Sequence, residues 1–328
     1  MMIIVNDKRI RHIALICLTA LIFIMFSPQS VKAKDEEIKS MNDFYERLSE
    51  QIMAHQVDEY YDVSIHTIGD IMDMNFSQYT THYNADSPLT SGCYLSYYLD
   101  SFQLYYINGR LRVVIDFSYT ESEMQEHFTK MNELAASLKC EDDFDTVKAV
   151  HDYLVENFRY DNRTVFENHT DIEGFRDRKM VCSGYSLAAY YLLNSAGIPT
   201  RVVTGYGGTD APIEVNHMWN MVELDGNWYN MDITWDDTEQ KNISYKYFLK
   251  SDKDFMNHTR LNSYAVRYFD VIVSDESYKL PFNMRMGMSA TKWGILIAFI
   301  AIEVFIFVKK QKKDARMRNI YGQEQNYY

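Results

Sequence analysis

Cysteine is scarce in this sequence. There are four in 328 residues, at 17, 93, 140 and 182, and no two stand in a CxxC pair. That spacing speaks against a thiolate-rich metal site. No internal repeat and no long low-complexity stretch is present. A net positive balance is confined to the two ends of the chain. Lys8, Arg9 and Arg11 lie near the start, and Lys309, Lys310, Lys312, Lys313, Arg316 and Arg318 near the end. The net charge is nevertheless −13, so the body between the ends is strongly acidic. Such a surface repels phosphate, which excludes nucleic acid as the expected partner. What is present is a core-forming composition: 47% hydrophobic and 24% charged residues, with aromatics at 15%. A packed fold is expected and wholesale disorder is not.

Both ends carry apolar runs. Residues 13–26 (IALICLTALIFIMF) follow the basic Lys8, Arg9 and Arg11 and precede Val31-Lys32-Ala33. This pattern of basic start, apolar stretch and small residues at −3 and −1 predicts a secretory signal peptide over 1–33. The small residues of a lipobox are missing before Cys17, so lipidation is not expected. Residues 293–308 (WGILIAFIAIEVFIFV) form a second run, short for the ~30 Å hydrocarbon core. Lys292 and the pair Lys309, Lys310 can extend it by snorkelling. Glu303 inside it is costly and calls for a partner. The basic tail predicts a cytoplasmic end. The expectation is a transmembrane helix over 292–309, a cytoplasmic tail over 310–328 and a body outside the membrane, single-pass.

Within the body, 35–62 is polar and compatible with helix. Residues 94–106 and 111–119 are rich in Tyr, Val, Ile and Phe and flank Asn108-Gly109, a hairpin signal. From Thr120 to Leu138 the apolar positions Met124, Phe128, Met131, Leu134 and Leu138 follow helical spacing, with Thr120 and Glu123 placed for a capping box. Residues 34–140 therefore read as a helix–hairpin–helix region without chemistry of its own. A helix is expected over 143–159, a polar loop over 161–180 and a buried helix over 182–196. Gly197 and Pro199 stop that helix. A strand over 200–206 leads to Gly207 and Gly208, which open a flexible loop. Strands at 217–224 and 227–234 are joined by Asp225-Gly226.

Chemistry enters through spacing. Cys182 starts a helix, where unsatisfied N–H groups and the helix dipole favour a thiolate and can hold an oxyanion. Alone, such a cysteine is more often a packed thiol. A two-residue turn at 225–226 sets the hairpin register so that His217, Trp219 and Asp232 share one face, with His217 and Asp232 as diagonal neighbours. A buried aspartate needs a partner. His217 supplies it, and Asp232 in return orients the ring. Together the three match a nucleophile–base–orienter set. A metal site at 182, 217 and 232 is the competing reading; it lacks a fourth ligand, so no metal or other cofactor is expected. Cys93 and Cys140 could pair with each other or remain two packed thiols.

The segment VCSGYSLAAYYLLNSAGIPTRVVTGY at 181–206 resembles the transglutaminase-like superfamily. So do NHMWNMVELDGNWYNMDITWD at 216–236 and VHDYLVENFRYD at 150–161, in the same order, with the likeness extending over about 141–275. The resemblance implies an α+β, papain-like fold, with a nucleophile helix packed on an antiparallel sheet. An N-terminal α/β region and a C-terminal transmembrane helix flank it. It also implies that nucleophile, base and orienter are Cys182, His217 and Asp232. Tyr185, Trp219, Gly207 and Gly208 are candidates for substrate contact. Tyr185 and Trp219 are equally candidates for core. No acidic loops can be assigned to calcium, and Asp236-Asp237 reads as a solvated turn. The divisions expected are 1–33, 34–140, a catalytic domain at 141–275, a linker at 276–291, then span and tail. The function implied is thioester chemistry on protein or peptide amides, with surface or cell-wall proteins as candidate partners. The outcome is hydrolysis or acyl transfer. The alternative is a binding or assembly module that keeps the triad as architecture.

Overall fold

The structure is a computed structural model. It describes residues 37–162, 169–208, 215–238, 243–261, 271–281, 284, 301–305 and 309. The chain divides into two compact units, Met1–Glu121 and Ser122–Tyr328. The division falls after the first residue of the helix over 121–138.

The first unit opens with helix α1 (Met41–Met53). Ser40 caps it by accepting from the Asp43 amide at 3.1 Å. Its apolar stripe of Phe44, Leu48 and Ile52 is buried. The polar stretch is not one helix: α1 ends at Met53 and strand β1 (Asp58–Asp62) follows. After short helices α2 (Ile68–Met72), α3 (Phe76–Thr80) and α4 (Gly92–Leu95) come β2 (Leu99–Ile107) and β3 (Arg110–Phe117). Residues 94–98 are helical turns rather than strand, because Tyr94, Leu95 and Tyr98 turn together into the core. Asn108 and Gly109 make the expected tight turn, with φ of 52° and 81°. The sheet order is β1-β3-β2.

The second unit opens inside α5 (Glu121–Leu138), at Ser122. Its buried positions are Met124, His127, Met131 and Ala135. Phe128, Leu134 and Leu138 flank that stripe half-buried. Helix α6 (Asp143–Asn157) buries Val147, Val150, His151 and Leu154. The segment expected to be a loop holds structure at both ends of residues 163–168, which lie outside the described residues. β4 (Arg159–Tyr160) pairs in parallel with β5 (Lys179–Met180), and α7 (Asp171–Asp177) lies between them. Thr170 and Glu173 form a capping box that starts α7. Next comes α8 (Cys182–Ser195), buried along nearly its whole length. Gly197 follows it with φ +89°, a conformation that costs a side chain dearly.

Strands β6 (Thr200–Gly207), β7 (Val215–Leu224), β8 (Asn227–Met231) and β9 (His258–Arg260) form an antiparallel sheet in the order β8-β7-β6-β9. Helix α8 packs on β6 and β7, and the Asn220 amide donates to the Ser186 carbonyl at 2.9 Å. This is the expected helix on an antiparallel sheet. Gly207 belongs to β6 rather than to a loop. The hairpin register is as predicted, Leu224 opposite Asn227, with Asp225 and Gly226 at φ 53° and 71°. The second strand stops at Met231, where short helix α9 (Ile233–Asp236) begins.

Part of the expected linker over 276–291 lies among the described residues. Tyr278 stacks on Phe144 at 5.2 Å between ring centroids, and Leu280 and Met284 are buried, so apolar contact holds this stretch on the second unit. Among the described residues no helix is long and apolar enough to cross a membrane. The expected signal peptide lies outside the described residues, as does most of the expected span. Residues 301–305 of that span are helical and exposed.

Candidate active site

Cys182 is the first residue of α8. The residue before it, Val181, has no side-chain acceptor, and the first helical bond runs from the Tyr185 amide to the Val181 carbonyl at 3.2 Å. The amides of the first turn therefore point out of the helix without a side-chain cap. Cys182 itself is half-buried. Neither Cys93 nor Cys140 is in a disulfide.

His217 stands on β7 opposite Gly205 of β6. Its Nε2–H donates to Asp232 Oδ2 at 2.7 Å. The Cys182 thiol is close enough to the same ring to raise its pKa. Burial by itself would lower the His217 pKa. The hydrogen bond to Asp232 and the interaction with Cys182 outweigh it and push the value up to about 10.

Asp232 is not a strand residue. It is the N-cap of α9, accepting the Trp235 amide on Oδ1 at 3.2 Å. The same carboxylate thus caps a helix and holds His217. Burial would raise its pKa, but hydrogen bonds from His217 and His258 hold it below the ordinary 3.8.

His258 was not visible in the sequence as a site residue. It lies on β9, opposite Gly207 of β6, and its Nε2 is 2.9 Å from Asp232 Oδ2. Two histidines from strands on either side of β6 therefore meet on one carboxylate oxygen. Glycine makes the approach possible. A Cβ on Gly207 would stand 2.9 Å from Trp235 Cζ2 and 3.0 Å from His217 Cδ2. One on Gly205 would strike the Thr259 carbonyl oxygen at 2.2 Å and the Trp219 ring at 2.7 Å. Gly207 thus acts on the histidine. Gly208 donates its amide to the Asn257 carbonyl at 3.1 Å, next to His258.

The other aromatic candidates are core residues. Trp219 is 1% exposed and clusters with Val203, Met221, Tyr247, Phe255 and Val273. Its Nε1–H donates to Asn230 at 3.3 Å. Tyr185 is equally buried and donates to Asp237 at 2.6 Å. Tyr160 is a further residue that spacing did not single out. Burial, then the charges of Cys182 and Asp232, push its phenol up.

Asp236 and Asp237 are buried, not solvated. Asp236 accepts from Ser244 at 2.7 Å and from the Tyr247 amide at 3.1 Å, and it faces His151 of α6 at 3.3 Å. These bonds fasten α9, and with it Asp232, to neighbouring elements. The turn is buried because its polar groups find partners there. Metal-ligand atoms of His217, Asp232 and His258 lie within 4.8 Å of one another. In this structure hydrogen bonds between the histidines and the aspartate join them.

Residues 132–233 match the sequence model of the transglutaminase-like superfamily. The kyphoscoliosis peptidases of Mus musculus and Homo sapiens are each 28% identical, over 147 and 148 residues. Each match covers 40% of this chain and 22% of the relative. The uncharacterized protein YebA of Bacillus subtilis is 44% identical over 69 residues, 19% of this chain and 9% of its own length. The chain thus spans under a quarter of the length of these curated relatives. Among solved structures, a TGase aligns with TM-score 0.31 at 16% identity, covering 61% of this chain and 60% of that one. Legionella pneumophila LapG (EGTA-treated) aligns with TM-score 0.30 at 16% identity, covering 44% and 74%.

Proposed function

We propose, from the match of residues 132–233 to the transglutaminase-like family model, that this protein is a cysteine enzyme acting on protein or peptide amides through a thioester. The observation that carries the reading is the convergence of Cys182, at an uncapped helix start, with a His217 ring held by Asp232. Its raised basicity suits His217 to take the thiol proton and keep it, giving a thiolate–imidazolium pair.

The chemistry then follows from position. The Cys182 thiolate attacks the amide carbon and forms a C–S bond. The carbonyl oxygen takes up negative charge against the amides of the first turn of α8. The C–N bond breaks as the His217 imidazolium gives its proton to the leaving amine, and a thioester remains. Water attacking the thioester, with His217 taking its proton and the C–S bond breaking to return the Cys182 thiolate, releases the acid and completes hydrolysis. An amine in place of water gives acyl transfer. Asp232 holds the ring in the orientation that both proton transfers need. The apolar runs at the two ends support a body outside the membrane, anchored by residues 292–309, with surface or cell-wall proteins as substrates.

The test is alkylation of Cys182 by iodoacetamide near neutral pH, followed by peptide mapping. Cys182 is expected to react at least about tenfold faster than the exposed Cys140. The His217→Ala substitution should abolish the difference. Equal rates at the two cysteines would leave an architectural triad, as in a binding or assembly module. Incubation of a peptide amide with a labelled amine then separates transfer from hydrolysis.

A further inference from the structure

His258 does not belong to the nucleophile–base–orienter set, yet it is bound to that set more closely than a packing residue needs to be. Its side chain is 1% exposed. One face lies on the Phe255 ring at 3.8 Å, and Trp235 is 4.3 Å away, both between ring centroids. Ring stacking alone does not require a histidine. Its nitrogens set it apart. Nε2 faces Asp232 Oδ2 at 2.9 Å, and Nδ1 faces the Met256 carbonyl oxygen at 3.1 Å. Both partners can only accept. A neutral imidazole has one N–H and can satisfy one of them. An imidazolium donates to both.

The surroundings suit that charge. Asp232 reaches it from the start of α9. His217 on β7 lies 5.4 Å away between ring centroids, and the Tyr247 ring lies 5.6 Å away. Arg260, on the same strand, is turned to Asp252 and Asn230. Asp232 Oδ2 takes both histidines and Oδ1 takes the Trp235 amide. The carboxylate is thus held from three directions.

Resting on the reading of Cys182 and His217 as nucleophile and base, we infer that His258 is a positioning residue, held as an imidazolium, that divides the charge of Asp232 with His217. Two consequences follow. The first is geometric: with His258 bound, the carboxylate cannot swing away from the His217 ring. The second is electrostatic. A fixed positive charge near the pair favours the Cys182 thiolate and lowers the pH at which Cys182 begins to react.

The experiment is the pH profile of Cys182 alkylation by iodoacetamide in the full chain, read on the Cys182 peptide. Wild type, His258→Gln and His258→Phe are compared. Phenylalanine keeps the stacking and removes both donors. Glutamine keeps a neutral donor and removes the charge. Both variants should move the midpoint of the acid-side rise to higher pH, by about one pH unit for a charge lost at this range. The maximal rate should fall about tenfold in His258→Phe, and His258→Gln should recover part of that loss. A midpoint that stays in place, or moves down, in a folded variant overturns the charge. Equal maximal rates in the two variants overturn the positioning. If His258→Phe does not fold, the midpoint of His258→Gln alone decides the charge, and the His258→Gln rate against wild type decides the positioning: a rate undiminished there overturns it. Failure of the underlying reading is separate: wild-type Cys182 would then react no faster than Cys140, with no response to His217→Ala.

Discussion

Asp232 accepts from His217, from His258 and from the Trp235 amide while almost wholly buried. Its charge is therefore offset by donors rather than by water, and stability should follow the pH dependence of its histidine. The His217 value is raised from 6.5 to about 10 on folding. A raised value means that the folded state holds the proton more tightly. The stabilisation is full below about 6.5 and is lost as pH rises through about 10. Thermal melts from pH 6 to pH 10.5 should show this loss in wild type, and His217→Ala should lack that component. Gly207 gives a second prediction at this scale. A methyl group there meets the Trp235 and His217 rings, so Gly207→Ala should displace the base. Cys182 alkylation should slow by about tenfold, with a smaller change in melting temperature. A large loss of stability with unchanged alkylation would contradict the assignment.

At the scale of elements, α9 is what the hairpin alone could not predict. The register of β7 and β8 brings residue 232 beside His217, but the strand ends at Met231. The carboxylate is then aimed by a helical turn that it caps itself. That turn is fastened by Asp236 through Ser244, the Tyr247 amide and His151. Asp236→Ala removes a buried charge and leaves these donors unmet. It should cost about 3 kcal/mol in urea unfolding, and it should slow Cys182 alkylation as Asp232 loosens. An effect on rate without an effect on stability would mean that Asp236 does not work through the fold. The capping box of α7 was legible as Thr170 and Glu173. A four-residue signal inside a polar stretch does not by itself distinguish a helix from a loop.

For the whole molecule, the prediction concerns the ends. A chain truncated to residues 34–284 keeps the described site and lacks both apolar runs. It should partition into the soluble fraction and label at Cys182 as the full chain does, whereas the full chain should sediment with membranes. Equal solubility of the two would remove the membrane anchor. Neither compact unit is expected to need a disulfide, since Cys93, Cys140 and Cys182 form none.

Local rules account for what the sequence determined by itself. Turn chemistry placed Asn108-Gly109 and Asp225-Gly226, helical period and a stop glycine placed α8, and the register arithmetic put His217 beside Asp232. These features depend on residues near one another in the chain. The tertiary structure decided the rest. His258 joins the site through a three-residue strand on the far side of β6, with no periodicity to announce it. Tyr160 is held by a two-residue strand pair between β4 and β5. Trp219 and Tyr185 became core rather than groove, because burial depends on what packs above a residue, and that comes from distant parts of the chain.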